Sequence, residues 1–199
     1  MRDIPGENTP ENVQVIIDEA GHLTGMVNDL LDISKLQAGV TQLNKTQFNL
    51  TKNLQAAVQR IGRMASANEF TIELICDHDQ EVFVDADEFK IYQVVYNLIN
   101  NALNYSGDSR HVIVRQECIG DTVKVSVQDF GPGIAKENLP LVWERYYKVD
   151  KEHRRSFNGS GLGLAIVRKI LELHNAQYGV DSTLGQGSTF WFCLKVSDE

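Results

Sequence analysis

Two segments near the middle of the chain alternate apolar and polar residues around a Gly-Asp pair. The segments are residues 111–117 and 122–128, and Gly120-Asp121 stands between them. A period of two residues is typical of a strand with one buried face, and a glycine-containing pair between two such strands predicts a hairpin turn. This is the strongest β signal in the sequence, so the chain is expected to build a sheet around this hairpin.

The remaining periodicity predicts an α/β domain. Helices are expected at residues 50–67, 87–105 and 161–174, and further strands at 70–76, 82–84, 177–181 and 188–196. The acidic run Asp85-Ala86-Asp87-Glu88 suits the N-terminus of the second of these helices. Residues 129–160 show no regular period and are predicted to be irregular.

A long amphipathic helix is predicted over residues 11–38, before the α/β domain. Its apolar residues recur in heptads at Val13, Ile16, Ala20, Leu23, Val27 and Leu30. A second row, formed by Ile17, Thr24 and Leu31, widens the apolar stripe beyond a two-stranded seam. This width favours a helical bundle over a dimeric coiled coil, although a helix packed on its own domain remains an alternative.

Composition excludes several classes of protein. The 199 residues suffice for one or two domains, and 42% are hydrophobic. The net charge of -8 argues against nucleic-acid binding. No apolar run reaches the roughly 20 residues that cross a bilayer, and no signal peptide is present, so we expect a soluble chain without membrane contact. The three cysteines, Cys76, Cys118 and Cys193, are expected to be buried and reduced.

One face of the predicted helix 87–105 carries amide side chains. Gln93, Asn97, Asn101 and Asn104 follow one another at spacings that place them on the same face. Asparagine is a poor helix former, and a solvated face would more often use Lys and Glu. Because an amide oxygen can coordinate Mg²⁺ without repelling phosphates, the face is interpreted as a ligand site.

Two glycine-rich segments follow this helix. Asp129-Phe130-Gly131-Pro132-Gly133 ends a strand with a carboxylate, which can accept a hydrogen bond from an exocyclic amine such as adenine N6, although this pattern is also a common loop. In residues 158–166, glycines at alternate positions lead into an apolar helix. Exposed amides at a helix N-terminus bind phosphate, and the spacing is neither that of a dinucleotide fold nor that of a Walker A loop.

Aromatic and basic residues lie between the two glycine segments. Trp143, Tyr146, Tyr147 and Lys148 are followed by further basic residues that include Arg154 and Arg155. Long irregular segments are often lids over a binding site. The segment is interpreted as a cationic lid, with a surface loop of incidental charge as the alternative.

The order of these four segments resembles the N, G1, F and G2 boxes of bacterial sensor histidine kinases of two-component systems. Those domains belong to the wider gyrase–Hsp90–histidine kinase–MutL group. The resemblance implies an α/β (α+β) two-layer sandwich of the Bergerat type, with a mixed sheet covered on one face by helices and preceded by one long amphipathic helix. ATP would lie between the helices and the lid.

The resemblance also implies roles for individual residues. Asn101 would be the main Mg²⁺ ligand with help from Asn97, and Asp129 would hold the adenine amine. Lys148 would reach the terminal phosphates, Tyr105 would line the phosphate side, and Thr189 would assist Asp129. The residues expected to shape the pocket are Gly131, Gly133, Gly159, Ser160, Gly161, Leu162 and Gly163.

One position departs from the family's pattern. Asn104 stands where the family often has a lysine. The loss of that positive charge would weaken binding of a triphosphate unless Arg154 or Arg155 compensates.

The first helix resembles the second helix of the family's dimerisation and phosphoacceptor hairpin. This implies two regions: residues 1–40 from a truncated hairpin and residues 41–199 as the catalytic ATP-binding domain. The phosphoaccepting histidine is expected before residue 1, because none of the five histidines lies in a matching motif. His22 is interpreted as a structural or surface residue.

The function implied is transfer of the γ-phosphoryl of Mg-ATP to a histidine outside this chain, for relay to the receiver domain of a response regulator. The parent is expected to be a homodimer, and this chain the cytosolic part of a membrane-anchored bacterial sensor. One alternative is an ATPase of the same superfamily, which would need a Glu where Asn97 stands. Another is a degenerate module that only binds nucleotide or dimerises.

Overall fold

The protein forms a long helix followed by a two-layer sandwich of helices on a sheet. The computed structural model describes residues 10–37, 42–77, 81–147 and 161–197. The helices are α1 (Pro10–Gln37), α2 (Leu50–Ala65), α3 (Glu88–Tyr105) and α4 (Gly163–Leu173). The strands are β1 (Thr46–Asn49), β2 (Thr71–Cys76), β3 (Phe83–Ala86), β4 (His111–Ile119), β5 (Thr122–Asp129), β6 (Gln177–Thr183) and β7 (Gly187–Lys195).

Five strands make one mixed sheet in the order β2-β4-β5-β7-β6. Strand β2 runs parallel to β4, and the other neighbours are antiparallel. The predicted hairpin is confirmed: β4 and β5 pair from Val112 opposite Asp129 to Ile119 opposite Thr122. Gly120 in its turn has a φ of 63°, a left-handed conformation that suits glycine.

The core lies between this sheet and helices α2, α3 and α4. Alternation along the strands buries one face of the sheet, including Val112, Val114, Val125 and Phe192. Helix α3 contributes six buried residues to this core, Ile91, Val94, Val95, Leu98, Ile99 and Ala102, while Leu103 is only partly buried. A fully buried Val, Leu or Ile side chain contributes roughly 1.5–3 kcal/mol.

A small second sheet was not predicted. Strand β1 pairs with β3 in an antiparallel register, with Phe48 opposite Val84. Only Phe48 among the four residues of β1 is buried, so the strand is too short and too exposed for a period of two to reveal it. Its last residue, Asn49, caps α2 by accepting a hydrogen bond from the backbone N–H of Lys52.

The predicted burial of the cysteines is wrong. Cys118 is exposed, whereas Cys76 and Cys193 are half-buried, and all three are free thiols. Cys193 lies between the inward-facing Phe192 and Leu194 of β7, so its side chain leaves the sheet on the face without helices. None of the described helices is long and apolar enough to cross a membrane.

Helix α1 keeps much of its apolar stripe exposed. Ile16 is 67% exposed and Leu23 is 59% exposed. The helix contacts α4, and Met26, Val27 and Leu30 line a cavity of about 170 Å³ together with Tyr146 and Leu162. The stripe therefore meets the sandwich along only part of its length.

The two tryptophans occupy different faces of the sheet. Trp143 is buried, with its ring edge-on to Tyr178 and Phe190. Trp191 lies across Gly179 on the outer face, where a Cβ on that glycine would come within 2.6 Å of the indole ring. Its Nε1–H donates to Asp181 Oδ2 at 2.9 Å, and Lys124 Nζ lies 4.9 Å from the ring centroid.

Candidate nucleotide-binding site

Helix α3 presents one amide of its amide face, that of Asn97, beside the start of α4. The helix begins after Asp87, whose carboxylate accepts from the backbone N–H of Lys90 at 3.1 Å. Asn97, Asn101 and Asn104 are all half-buried. A Cβ built on Gly163 would lie 3.7 Å from both Cγ and Oδ1 of Asn97, so this amide packs on the first residue of α4.

Asn97 also carries a buried polar atom without a partner. Its Nδ2 makes no hydrogen bond with any of the described residues. Leaving a buried donor unpaired costs about 1–3 kcal/mol, and an amide can present either its nitrogen or its oxygen after a flip. Asn97 is therefore available to a ligand at the junction of α3 and α4.

Asp129 is a buried carboxylate at the end of β5, with 2% of its surface exposed. Its Oδ1 accepts from the backbone N–H groups of Gly131 at 3.0 Å and Ser188 at 3.2 Å. Burial raises the pKa of Asp129 to about 6, against the lowering effect of these two bonds. Both bonds made within the described part of the chain end on Oδ1, so Oδ2 can accept a further donor.

Glycines let three backbone segments converge around Asp129. A Cβ on Gly131 would lie 1.7 Å from the carbonyl oxygen of Tyr105, the last residue of α3. A Cβ on Gly133 would lie 2.1 Å from the carbonyl oxygen of Thr183. At both glycines backbone therefore packs directly against backbone, and their role in shaping a pocket stays a prediction.

No side chain in the described part of the chain caps the N-terminus of α4. Leu162 precedes its first residue, and no described side chain bonds to the first amides. The first N–H groups of a helix lack partners inside the helix and are a favourable place for a phosphate. Gly161 has a φ of 71°, so the helix begins at Gly163 instead of the predicted residue 161.

The structure separates Thr189 from Asp129. Ser188 is buried and its N–H contacts Asp129, whereas Thr189, one residue later, is directed to the opposite face of the sheet by strand alternation. Thr189 lines a polar cavity of about 180 Å³ with Gln128 and Asp181, and Ser188 lines the same cavity. Sequence reasoning missed Ser188, although the buried aromatic pair Phe190 and Phe192 gives β7 an alternation that points Ser188 inward.

Some of the other predicted site residues lie in the part of the chain that the structure describes, and some lie outside it. Tyr105 is 44% exposed at the end of α3. Leu162 is buried beside Gly161. Five predicted residues lie outside the described residues: Lys148, Arg154, Arg155, Gly159 and Ser160.

These elements lie along the C-terminal half of α3. Asn97 marks the contact with α4, and Tyr105 marks the contact with the Asp129 loop. Eight residues of helix separate them, which corresponds to about 12 Å. A nucleotide can span this distance with its base at Asp129 and its phosphates at the start of α4, so the fold and site define a nucleotide-binding α/β sandwich.

Comparison with known sequences gives the same class. Residues 86–198 match the family described as histidine kinase-, DNA gyrase B-, and HSP90-like ATPase. The chain belongs to this family, and its sandwich is the ATP-binding catalytic domain found in sensor histidine kinases.

Individual relatives are sensor kinases. The chain is 33% identical over 195 residues to sensor histidine kinase WalK of Bacillus subtilis (strain 168), covering 96% of this chain and 31% of that protein. Full-length ShkA in complex with AMPPNP is similar in structure, with a TM-score of 0.80 and 27% identity over 97% of this chain and 41% of that one. The nucleotide-free catalytic domain of ThkA has a TM-score of 0.66 and 25% identity, covering 76% of this chain and 95% of that one.

Proposed function

We propose that this chain binds Mg-ATP and transfers the γ-phosphoryl group to a histidine outside the chain, for relay to the receiver domain of a response regulator. The observation that carries the proposal is the contact between Asn97 and Gly163. This contact puts an amide nitrogen that has no partner among the described residues beside the N-terminus of α4, where phosphates and a cation are both favoured.

Each part of the site has a role in binding. The Oδ2 atom of Asp129 accepts the exocyclic amine of adenine, while Ser188 and Gly131 hold Oδ1. The first amides of α4 bind the phosphates. Asn101 and Asn97 would hold Mg²⁺ through neutral oxygens, and when bound this ion neutralises charge on the phosphates. Such chemistry needs positioning and charge neutralisation more than protein-derived acids or bases.

The donor set at the metal position fits this role. Among the residues that the structure describes, no group of three His, Cys, Asp or Glu side chains could hold an ion. A site that shares its cation with a triphosphate does not need protein carboxylates, because the phosphate oxygens supply the negative charge. Lys148, Arg154 and Arg155, on the proposed lid, would supply further cations.

ATP hydrolysis is the first alternative, and Asn97 disfavours it. A superfamily ATPase would use a carboxylate at this position to take a proton from water, and an amide cannot accept that proton. We therefore expect slow release of inorganic phosphate, and a phosphate-release assay with Mg-ATP compares the two functions.

Helix α1 is proposed to be the second helix of a dimerisation hairpin, so that residues 1–40 and 41–199 form separate regions. The exposure of Ile16 and Leu23 supports this, because a long apolar row on a surface marks an interface. The occupant would be the first helix of the same hairpin and the hairpin of a second copy. The parent is then a homodimer, proposed to be anchored in a membrane outside this chain.

Calorimetric titration with Mg-ATP tests the proposal. A heat of binding that disappears when Mg²⁺ is chelated is expected, whereas a degenerate module should give no heat. Incubation with γ-labelled ATP is the second arm, and it should leave the histidines of this chain unlabelled. Labelling of any of its five histidines would contradict the placement of the acceptor outside the chain.

A further inference from the structure

Helix α3 contacts α4 at both ends of α4. Asn97 of α3 packs on Gly163, the first residue of α4. At the other end, the backbone N–H of Asp87, just before α3, donates to Nε2 of His174, just after α4, at 3.1 Å. The helices therefore run antiparallel, and one pair of contacts lies at the proposed phosphate site while the other lies about 16 Å away along α4.

The hydrogen bonds of His174 fix its tautomer. Its Nδ1 lies 2.8 Å from the carbonyl oxygen of Ile170, which can only accept, so Nδ1 carries the proton. Its Nε2 faces the N–H of Asp87, which can only donate, so Nε2 must be unprotonated. The ring makes both bonds only in its neutral form.

Asp87 connects this pair to a third part of the chain. Its Oδ1 caps α3 by accepting from Lys90, and its Oδ2 accepts from the backbone N–H of Asn44 at 3.0 Å. Asn44 belongs to the segment that leads from α1 to β1. One residue thus holds the start of α3, the end of α4 and the segment that follows α1.

We propose that His174 is a positioning residue of the nucleotide site: its bond from the Asp87 N–H fixes α4 against α3, and protonation of Nε2 breaks that bond and loosens the start of α4 over Asn97. This rests on the proposed binding of ATP between these helices. An imidazolium has no acceptor to offer, so it would place an N–H against the N–H of Asp87.

The surroundings of His174 set the pH at which its Nε2 is protonated. Burial lowers the pKa of His174, the bond to the Ile170 carbonyl raises it, Lys45 lowers it and Asp87 raises it. Lys45 and Asp87 are the charged groups of the described residues that act on the ring. The pKa of His174 is lower in the folded protein than the ordinary 6.5. The stability that the joint between Asp87 and His174 (their hydrogen bond) contributes is therefore present above pH 6.5, and it is lost as the pH falls through the lower pKa of the folded state.

Two variants separate the role of His174 as a hydrogen-bond acceptor from its change of protonation. His174→Gln keeps an acceptor oxygen near the position of Nε2 but does not titrate, whereas His174→Leu keeps the bulk and loses the acceptor. At about pH 8 we expect the Gln variant to bind Mg-ATP with an affinity within about twofold of that of the unaltered chain. The Leu variant, which has no acceptor for the Asp87 N–H, should bind about tenfold more weakly, which corresponds to about 1.4 kcal/mol of binding free energy. Between about pH 8 and pH 5.5 the unaltered chain should lose more affinity than the Gln variant.

The comparison with the Gln variant removes the contribution of Asp129, because that carboxyl titrates in both proteins. Equal pH profiles for the unaltered chain and the Gln variant, or an unchanged affinity in a folded Leu variant, would overturn the proposal. If the Leu variant does not fold, the Gln comparison decides.

A second measurement is independent of ATP. In ¹H–¹⁵N spectra of the full chain, the amide signals of Asp87 and Gly163 should follow the titration of His174, and they should stop doing so in the Gln variant. Failure of the unaltered chain to bind ATP at about pH 8 would reject the proposed function alone. If the amide signal of Gly163 does not change as His174 titrates, the proposal that His174 positions the start of α4 is rejected, while the proposed ATP binding is unaffected.

Discussion

The backbone N–H of Tyr146 donates a hydrogen bond of 2.9 Å to the carbonyl oxygen of Gly161. Both residues have positive φ angles, 58° for Tyr146 and 71° for Gly161. Tyr146 and Gly161, which stand on either side of residues 148–160 in the sequence, therefore lie next to each other directly before α4. The conformation of these two residues sets where the proposed lid is attached.

Replacement of Gly161 by Ala is expected to strain this attachment. A Cβ there would lie 3.1 Å from Cα of Tyr146, and the left-handed conformation costs a residue with a side chain roughly 1–2 kcal/mol. We expect the free energy of unfolding to fall by about that amount in urea denaturation. Gly62→Ala is the control, because Gly62 lies inside α2 with nothing within 4 Å of its added Cβ, and it should stabilise by about 0.5–1 kcal/mol. Changes of the same sign in both variants would contradict the argument.

Asp129→Asn should stabilise the fold and abolish nucleotide binding. The pKa of Asp129 is raised from 3.8 to about 6 in the folded protein, so its stabilising contribution is complete below 3.8 and is lost as the pH rises through 6. At pH 7 the unaltered chain buries a charge, and the amide should be more stable on the order of 2 kcal/mol. The amide oxygen can keep the bonds from Gly131 and Ser188, while its NH₂ group would face the adenine amine.

Urea denaturation near pH 7 and near pH 4 measures the first effect, which should shrink at the lower pH. Calorimetry with ATP measures the second. A less stable Asn variant at pH 7 would show that the carboxylate is better solvated than its burial indicates.

Asn101→Ala should remove Mg²⁺-dependent nucleotide binding and leave the fold intact. The residue is half-buried on the amide face of α3, and alanine favours a helix more than asparagine does. The measurement is the affinity for ATP with and without Mg²⁺, next to a thermal melt. Asn100→Ala is the matched control, since this neighbour differs by about 100° around the helix and should keep its affinity. Unchanged Mg²⁺ dependence in Asn101→Ala would reject the ligand assignment.

Gly131→Ala should be the most destabilising of these replacements. The new Cβ would lie 1.7 Å from the carbonyl oxygen of Tyr105, so the Asp129 loop and the end of α3 must separate. Overpacking of this kind costs about 3 kcal/mol or more. Gly120→Ala is the control, because Gly120 has a φ of 63° but open space around it. A smaller loss of melting temperature at Gly131 than at Gly120 would contradict the close approach.

The elements that the sequence predicted correctly are those whose pattern of apolar residues is long enough to show its period. The β4–β5 hairpin and helix α3 each span two or more periods of their apolar residues, so their partners hardly affect the prediction. Strand β1 was missed because its order depends on pairing with β3, and Phe48 alone carries its local signal. The burial of Cys118 was predicted from apolar neighbours, which cannot tell a covered strand from its exposed end.

The site divides in the same way. Asp129 could be predicted because it follows a strand and precedes glycines in the sequence. The joint between Asp87 and His174 could not, because 87 residues separate its members and neither lies in a recognisable motif. Ser188 was missed because contact with Asp129 depends on which face of β7 a residue occupies, and one residue reverses that face.

The separation of the two tryptophans gives the protein two optical probes. Trp143 lies three residues before Tyr146 in a shielded environment, while Trp191 is half-exposed beside a lysine on the outer face. Intrinsic fluorescence of the whole chain is the sum of these emissions. In a Trp191→Phe background the remaining tryptophan signal comes from Trp143 alone, so changes near Tyr146 can be followed without an added dye.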